Sequence, residues 1–149
     1  MIQRKQTVFL FLAIVCMVVC LCMPLATVEP QAMGVSGAMY NLWIDGAQGR
    51  SFAVCPLFVV AVLACALQAV AIGLYKNRKV QSRVCVWAML LLVAWMVAYA
   101  VFFHTMADGV TLRVSMGAAF PIVAFVLTLM AKRGVDADER LVRAADRIR

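Results

Sequence analysis

Four stretches free of Asp, Glu, Lys and Arg, each about as long as a bilayer is thick, constrain this chain more than any other feature. They cover residues 7–28, 53–75, 84–103 and 114–131. A helix rises ~1.5 Å per residue and the hydrocarbon core is ~30 Å thick, so ~20 apolar residues span it. Lipid offers no hydrogen bonds to an open backbone, which makes each stretch helical. Composition closes the soluble alternative. The chain is 66% hydrophobic and 14% charged, whereas an ordinary domain is ~45–50% apolar and ~25% charged. A domain of 149 residues cannot cover that much apolar surface with its own polar residues. The expected fold is an all-α membrane protein, a four-transmembrane-helix bundle forming one domain over residues 1–149. The first run exceeds the ~7–15-residue core of a cleaved leader, so it is expected to stay in the membrane.

The basic residues set the expected orientation. Arg4 and Lys5 precede the first run. Lys76, Arg78, Lys79 and Arg83 separate the second from the third, and Lys132, Arg133, Arg140, Arg143, Arg147 and Arg149 follow the fourth. The other two connections carry Arg50 and Arg113 alone. The side richer in Lys and Arg is the cytoplasmic one. Both termini are therefore expected in the cytoplasm of a multi-pass protein of the bacterial inner membrane. The net charge of +7 follows the membrane. Without aromatic residues interleaved among the basic ones it gives no reason to expect nucleic acid.

The two outer connections each hold an Asp-Gly pair, Asp45-Gly46 and Asp108-Gly109. Asp-Gly suits a tight hairpin turn that needs positive φ. Residues 39–44 and 47–52 are expected to form a small outer-face β-hairpin, with a shared sheet if the second connection joins it. The alternative is a plain turn at each pair. On the inner side, Asp136 with Glu139 three residues on reads as a helix start. Leu141, Ala145 and Ile148 share a face, so residues 136–149 are expected to form a cytoplasmic amphipathic helix.

Little in the chain carries chemistry. Cys16, Cys20, Cys22, Cys55, Cys65 and Cys85 all lie in or beside apolar runs, without C-x-x-C spacing, and read as small hydrophobes. Cys22 falls towards the outer end of the first run and Cys55 at the outer start of the second, which leaves a disulfide between them as an alternative. His104 with Asp108 is too small a set for a metal. Gln68 is the most polar residue at mid-depth and is expected to bond to a neighbouring helix. Pro121 is expected to kink the fourth helix.

The chain opens Met1-Ile2-Gln3-Arg4-Lys5-Gln6-Thr7, continues after the second run with Tyr75-Lys76-Asn77-Arg78-Lys79-Val80-Gln81, and carries Asp138-Glu139-Arg140-Leu141-Val142-Arg143-Ala144-Ala145-Asp146-Arg147-Ile148-Arg149. In these stretches it resembles a family of uncharacterised four-helix membrane proteins of Bacteroidota, a domain of unknown function. Members open M-I-Q-R-x-Q-T, carry Y-K-N-R-x-x-Q in the inner loop and end D-E-x-L-V-R-x-x-D-R-[IL]-R. The resemblance implies the four-helix topology, the inner membrane and a Bacteroidota source. It brings no activity or substrate.

Motifs gathered on one side of featureless helices suit docking better than catalysis within the membrane. The expected function is a non-enzymatic accessory or scaffold subunit, with no cofactor and no metal. Its partners would be membrane lipid, a protein at the cytoplasmic face, and further copies of itself. The candidate surface is Arg4, Lys5, Lys76, Arg78, Lys79, Arg83, Arg140, Arg143 and Arg147. The alternatives are a small oligomeric transporter or channel component resting on Gln68 and Pro121, and a thiol-redox protein using Cys20, Cys22 and Cys55.

Overall fold

The computed structural model describes residues 3–30, 36–46, 49–75, 77–106 and 110–146. Helix α1 (Gln3–Cys22) is followed by strands β1 (Ala26–Pro30), β2 (Gly37–Met39), β3 (Ile44–Gly46) and β4 (Gly49–Ser51). Helices α2 (Cys55–Gly73) and α3 (Arg78–Met106) come next. Strand β5 (Val110–Val114) and a 3-10 turn (Met116–Ala119) then lead into α4 (Phe120–Asp146). Helix α1 packs on α4 and α2, and α3 packs on α2 and α4, closing a ring. Three of the helices, α2, α3 and α4, are long and apolar enough to cross a membrane, while the apolar part of α1, Gln6–Cys22, is shorter.

The helices meet along seams whose spacing is visible in the buried residues. In α1 these are Gln6, Leu10, Ala13, Met17 and Cys20; in α2, Leu57, Ala61, Ala64, Gln68 and Ala71. In α3 they are Gln81, Cys85, Ala88, Leu92 and Trp95; in α4, Pro121, Ala124, Thr128, Ala131, Val135 and Asp138. Every series steps by four and three in turn, the ~3.5-residue repeat of left-handed helix packing. Alanine is the commonest seam residue, as expected where small side chains let backbones approach. Outward-facing side chains such as Phe11, Leu63 and Val97 are larger.

Several boundaries differ from those expected of the sequence. The first apolar run does not continue as helix to Val28. Pro24 has no amide hydrogen and pushes the residue before it towards extended backbone, so α1 ends at Cys22 and residues 26–30 become β1. The fourth run likewise opens as strand: Val114 closes β5, and α4 starts only at Phe120. Pro121 then stands in the first turn of α4, where a missing amide hydrogen costs nothing, and it does not kink the helix interior. The basic loop 76–83 is mostly the first turns of α3, whose opening bond runs from the Gln81 amide to the Asn77 carbonyl (2.9 Å).

At the other end the strands form one antiparallel sheet in the order β4-β3-β2-β1-β5. The shared sheet therefore exists, made by β1 pairing along its whole length with β5, from Ala26 opposite Val114 to Pro30 opposite Val110. The hairpin exists too, but its turn lies beyond Asp45-Gly46. Asp45 pairs with Arg50 and Gly46 with Gly49, leaving residues 47–48 as the connection. Gly49 takes the positive φ, +105°. Residues 39–44 are not one strand. The chain doubles back between β2 and β3, where the Tyr40 amide donates to the Trp43 carbonyl (2.8 Å). The Asp108-Gly109 pair lies outside the described residues.

A buried asparagine fixes the sheet to the helices. Asn41 donates to the carbonyl of Cys20 (2.8 Å) and accepts from the Trp95 indole (3.1 Å). Cys20 is in the last turn of α1, where carbonyls have no partner within the helix. Gly117 brings the 3-10 turn against the same corner, since a Cβ there would strike the Pro24 carbonyl oxygen.

Candidate functional site at the polar end

The end of the helices remote from the sheet holds the one interlocked polar cluster that joins three helices among the described residues. It grows out of the seam register. The four-three spacing that buries Leu10 and Ala13 also buries Gln6 one step earlier. In α4 the same spacing carries past Ala131 and Val135 to Asp138. Gln6 and Asp138 meet there, both more than nine-tenths buried, with Gln6 Nε2 donating to Asp138 Oδ2 at 2.6 Å. A glycine inside a helix normally weakens it, but Gly134 makes room for this bond. A Cβ there would lie 2.9 Å from Gln6 Cγ.

A second pair ties α3 to α4. Ser82 Oγ donates to Asp136 Oδ1 (2.6 Å), and Lys132 Nζ lies 2.6 Å from Asp136 Oδ2. Asp136 lies beyond the apolar run. Burial pushes its carboxyl up, but the hydrogen bonds from Lys132 and Ser82, with the charges of Lys132 and Arg140, hold it below its ordinary value. Arg78 adds a third tie by donating to the Asp138 carbonyl oxygen (3.3 Å). Gln81 is buried beside these groups.

These bonds explain why the tail is not a separate helix. Asp136 was expected to cap a new helix, but its carboxylate is committed to Ser82 and Lys132. Helix α4 runs without a break through Gly134 to Asp146. Residues 147–149 lie outside the described part of the chain.

Of the expected surface residues, Arg78 joins the cluster, while Lys79, Arg83 and Arg140 stand exposed around it. Lys76 and Arg147, and the side chains of Arg4, Lys5 and Arg143, lie outside the described residues. Reading by charge alone missed Gln6, Ser82, Asp136 and Asp138, which do the holding, and left out the exposed Arg133. The signal that could have found Gln6, Gln81 and Asp138 is their place in the four-three register of the small seam residues. The three stretches that carry the sequence resemblance meet here, through Gln6 from the first, Arg78 and Gln81 from the second and Asp138 from the third.

The other polar residues singled out in the sequence lie apart from this cluster. Gln68 Nε2 donates to Thr128 Oγ1 (3.0 Å), joining α2 to α4, and Thr128 Oγ1 donates in turn to the Ala124 carbonyl (2.7 Å). All six cysteines are free thiols, with Cys20 and Cys85 buried and Cys22 exposed. His104 is exposed at the end of α3.

The architecture is mostly helical, with three helices long and apolar enough to cross a membrane and a small antiparallel sheet at one end. More narrowly, the chain belongs to DUF4293, a domain of unknown function, whose family profile matches residues 2–148. It has no match among curated proteins.

Proposed function

We propose that this protein is a non-enzymatic accessory or scaffold subunit of an inner-membrane assembly in a Bacteroidota cell. In this reading all four helices span as a bundle and both termini face the cytoplasm. The partner docks on the polar end. The observation that carries the proposal is the unbroken continuation of α4 beyond its apolar part, tied to α1 through Gln6–Asp138 and to α3 through Ser82–Asp136. A preorganised surface loses less entropy on binding than a frayed tail would. Lys79 and Arg83 are exposed on it and are not among the groups that hold it together.

The test is purification from native membranes in mild detergent, comparing the intact chain with a Lys79→Glu/Arg83→Glu variant by mass spectrometry. A stoichiometric partner should accompany the intact chain and be lost from the variant. An intact chain that purifies without any other protein sinks the reading. The transporter alternative keeps only Gln68, since Pro121 opens α4 and makes no hinge within it.

A further inference from the structure

We infer that the outward face of α4 at the polar end is a binding site for the headgroup of an anionic phospholipid. Helix α4 presents one exposed face along its whole length. Ile122, Val126 and Met130 form its apolar part, and Arg133, Ala137, Arg140, Leu141 and Ala144 carry it on at the same three- and four-residue spacing. The change from apolar to basic comes at Arg133, one turn beyond Met130 or ~4.5 Å along the axis. That is within the ~5–8 Å layer that headgroups add to each side of the hydrocarbon core. Arg133, Asp136, Ala137, Arg140, Leu141 and Ala144 border an open groove of about 620 Å³ on this face.

Three features select an anionic lipid. The first is charge. Asp136 borders the groove, but its carboxylate is taken up by Lys132 and Ser82, so the two arginines set the sign. The second is direction. Side chains on a helix lean towards its amino terminus, and for α4 that is the direction of the membrane. Arg133 therefore leans back into the headgroup layer, and Arg140, two turns or ~10.5 Å further on, leans back along the groove towards it, with their stems along the helix. The third is continuity. Acyl chains lying along Ile122, Val126 and Met130 deliver their own phosphate to Arg133, whereas a soluble acidic segment would have to displace them.

The test uses the purified full-length protein in non-ionic detergent. It is titrated with phosphatidylglycerol or phosphatidylcholine of identical acyl chains, with bound lipids counted by native mass spectrometry and Tm followed in parallel. Phosphatidylglycerol should bind on the order of 30-fold more tightly, the contribution expected of two arginines near an anionic surface. Arg133→Gln/Arg140→Gln should lose most of that preference, and Arg83→Gln, an exposed arginine on α3, should keep it. Ala137→Glu, which places a negative charge in the groove and leaves both arginines, should lose it too. Equal binding of the two lipids overturns the inference, as does a preference that survives both groove variants. Inorganic phosphate that raises Tm as much as phosphatidylglycerol would assign the groove to a free anion and overturn it as well.

Discussion

At the scale of single residues, the structure depends on a few buried polar groups, each joined to a specific partner. Asn41 is the clearest. Its amide satisfies a carbonyl at the end of α1 with one atom and the Trp95 indole with the other. Asn41→Leu leaves both partners unsatisfied, at ~1–3 kcal/mol each. Thermal unfolding in detergent should show that loss, and an unchanged Tm would refute the anchoring role. Gln6 and Asp138 behave as a unit. Gln6→Leu alone strands a buried carboxylate, and Asp138→Leu alone strands an amide. The double replacement removes both demands together and should be milder than the sum of the singles. A double-mutant cycle should give a coupling of ~0.5–3 kcal/mol, and strict additivity would show that the two side chains do not support one another. None of these pairings is visible in the chain as written, because Gln6 and Asp138 are far apart in sequence and each looks like an ordinary polar residue beside a membrane span.

At the scale of elements, the helices were legible as apolar runs, but their ends were not. Apolar composition alone cannot distinguish the last turns of a spanning helix from a strand that packs on top of it. Residues 24–28 and 114–119 are apolar in either case, and the pairing of β1 with β5 decides between them. The two glycines at close approaches give a test of how the elements meet. A Cβ on Gly117 would strike the Pro24 carbonyl, which is backbone, whereas one on Gly134 would meet the flexible Gln6 side chain. Gly117→Ala should cost ~1–3 kcal/mol through the strain of a forced backbone shift. Gly134→Ala should cost less, because alanine gains ~1 kcal/mol of helix propensity over glycine in a helix interior. Equilibrium unfolding of the two variants should keep that order, and a reversed order would mean that the 3-10 turn does not sit tightly on the end of α1.

At the scale of the whole molecule, the two ends differ in construction. One end is covered by a five-stranded sheet, and the other is closed by side-chain bonds among α1, α3 and α4. The unequal sharing of basic residues predicts that these ends face opposite sides of the bilayer. In a cysteine-free background, Lys79→Cys and Arg140→Cys should both resist a membrane-impermeant thiol reagent applied outside spheroplasts, and Arg113→Cys should react. Labelling of Lys79→Cys and Arg140→Cys but not of Arg113→Cys would reverse the orientation. Ring packing also predicts a contrast between faces. Ala64 is fully buried in its seam, whereas Leu63 beside it is exposed. Ala64→Leu should push helices apart at ~1–3 kcal/mol, and Leu63→Ala should shift Tm much less.

The sequence by itself determined that this chain is mostly helical, that its helices are apolar enough to cross a membrane, and which connections are basic, because hydropathy and charge act locally and additively along a chain. It also marked the hairpin region, since turn residues act over a few positions. Only the tertiary structure decided which face of each helix is inside, where α1 and α4 meet the sheet, and that the tail is the unbroken end of α4. In a membrane both faces of a helix are apolar, so hydrophobicity carries no inward direction. The direction comes instead from small residues and a few polar pairs that find one another across long separations in sequence.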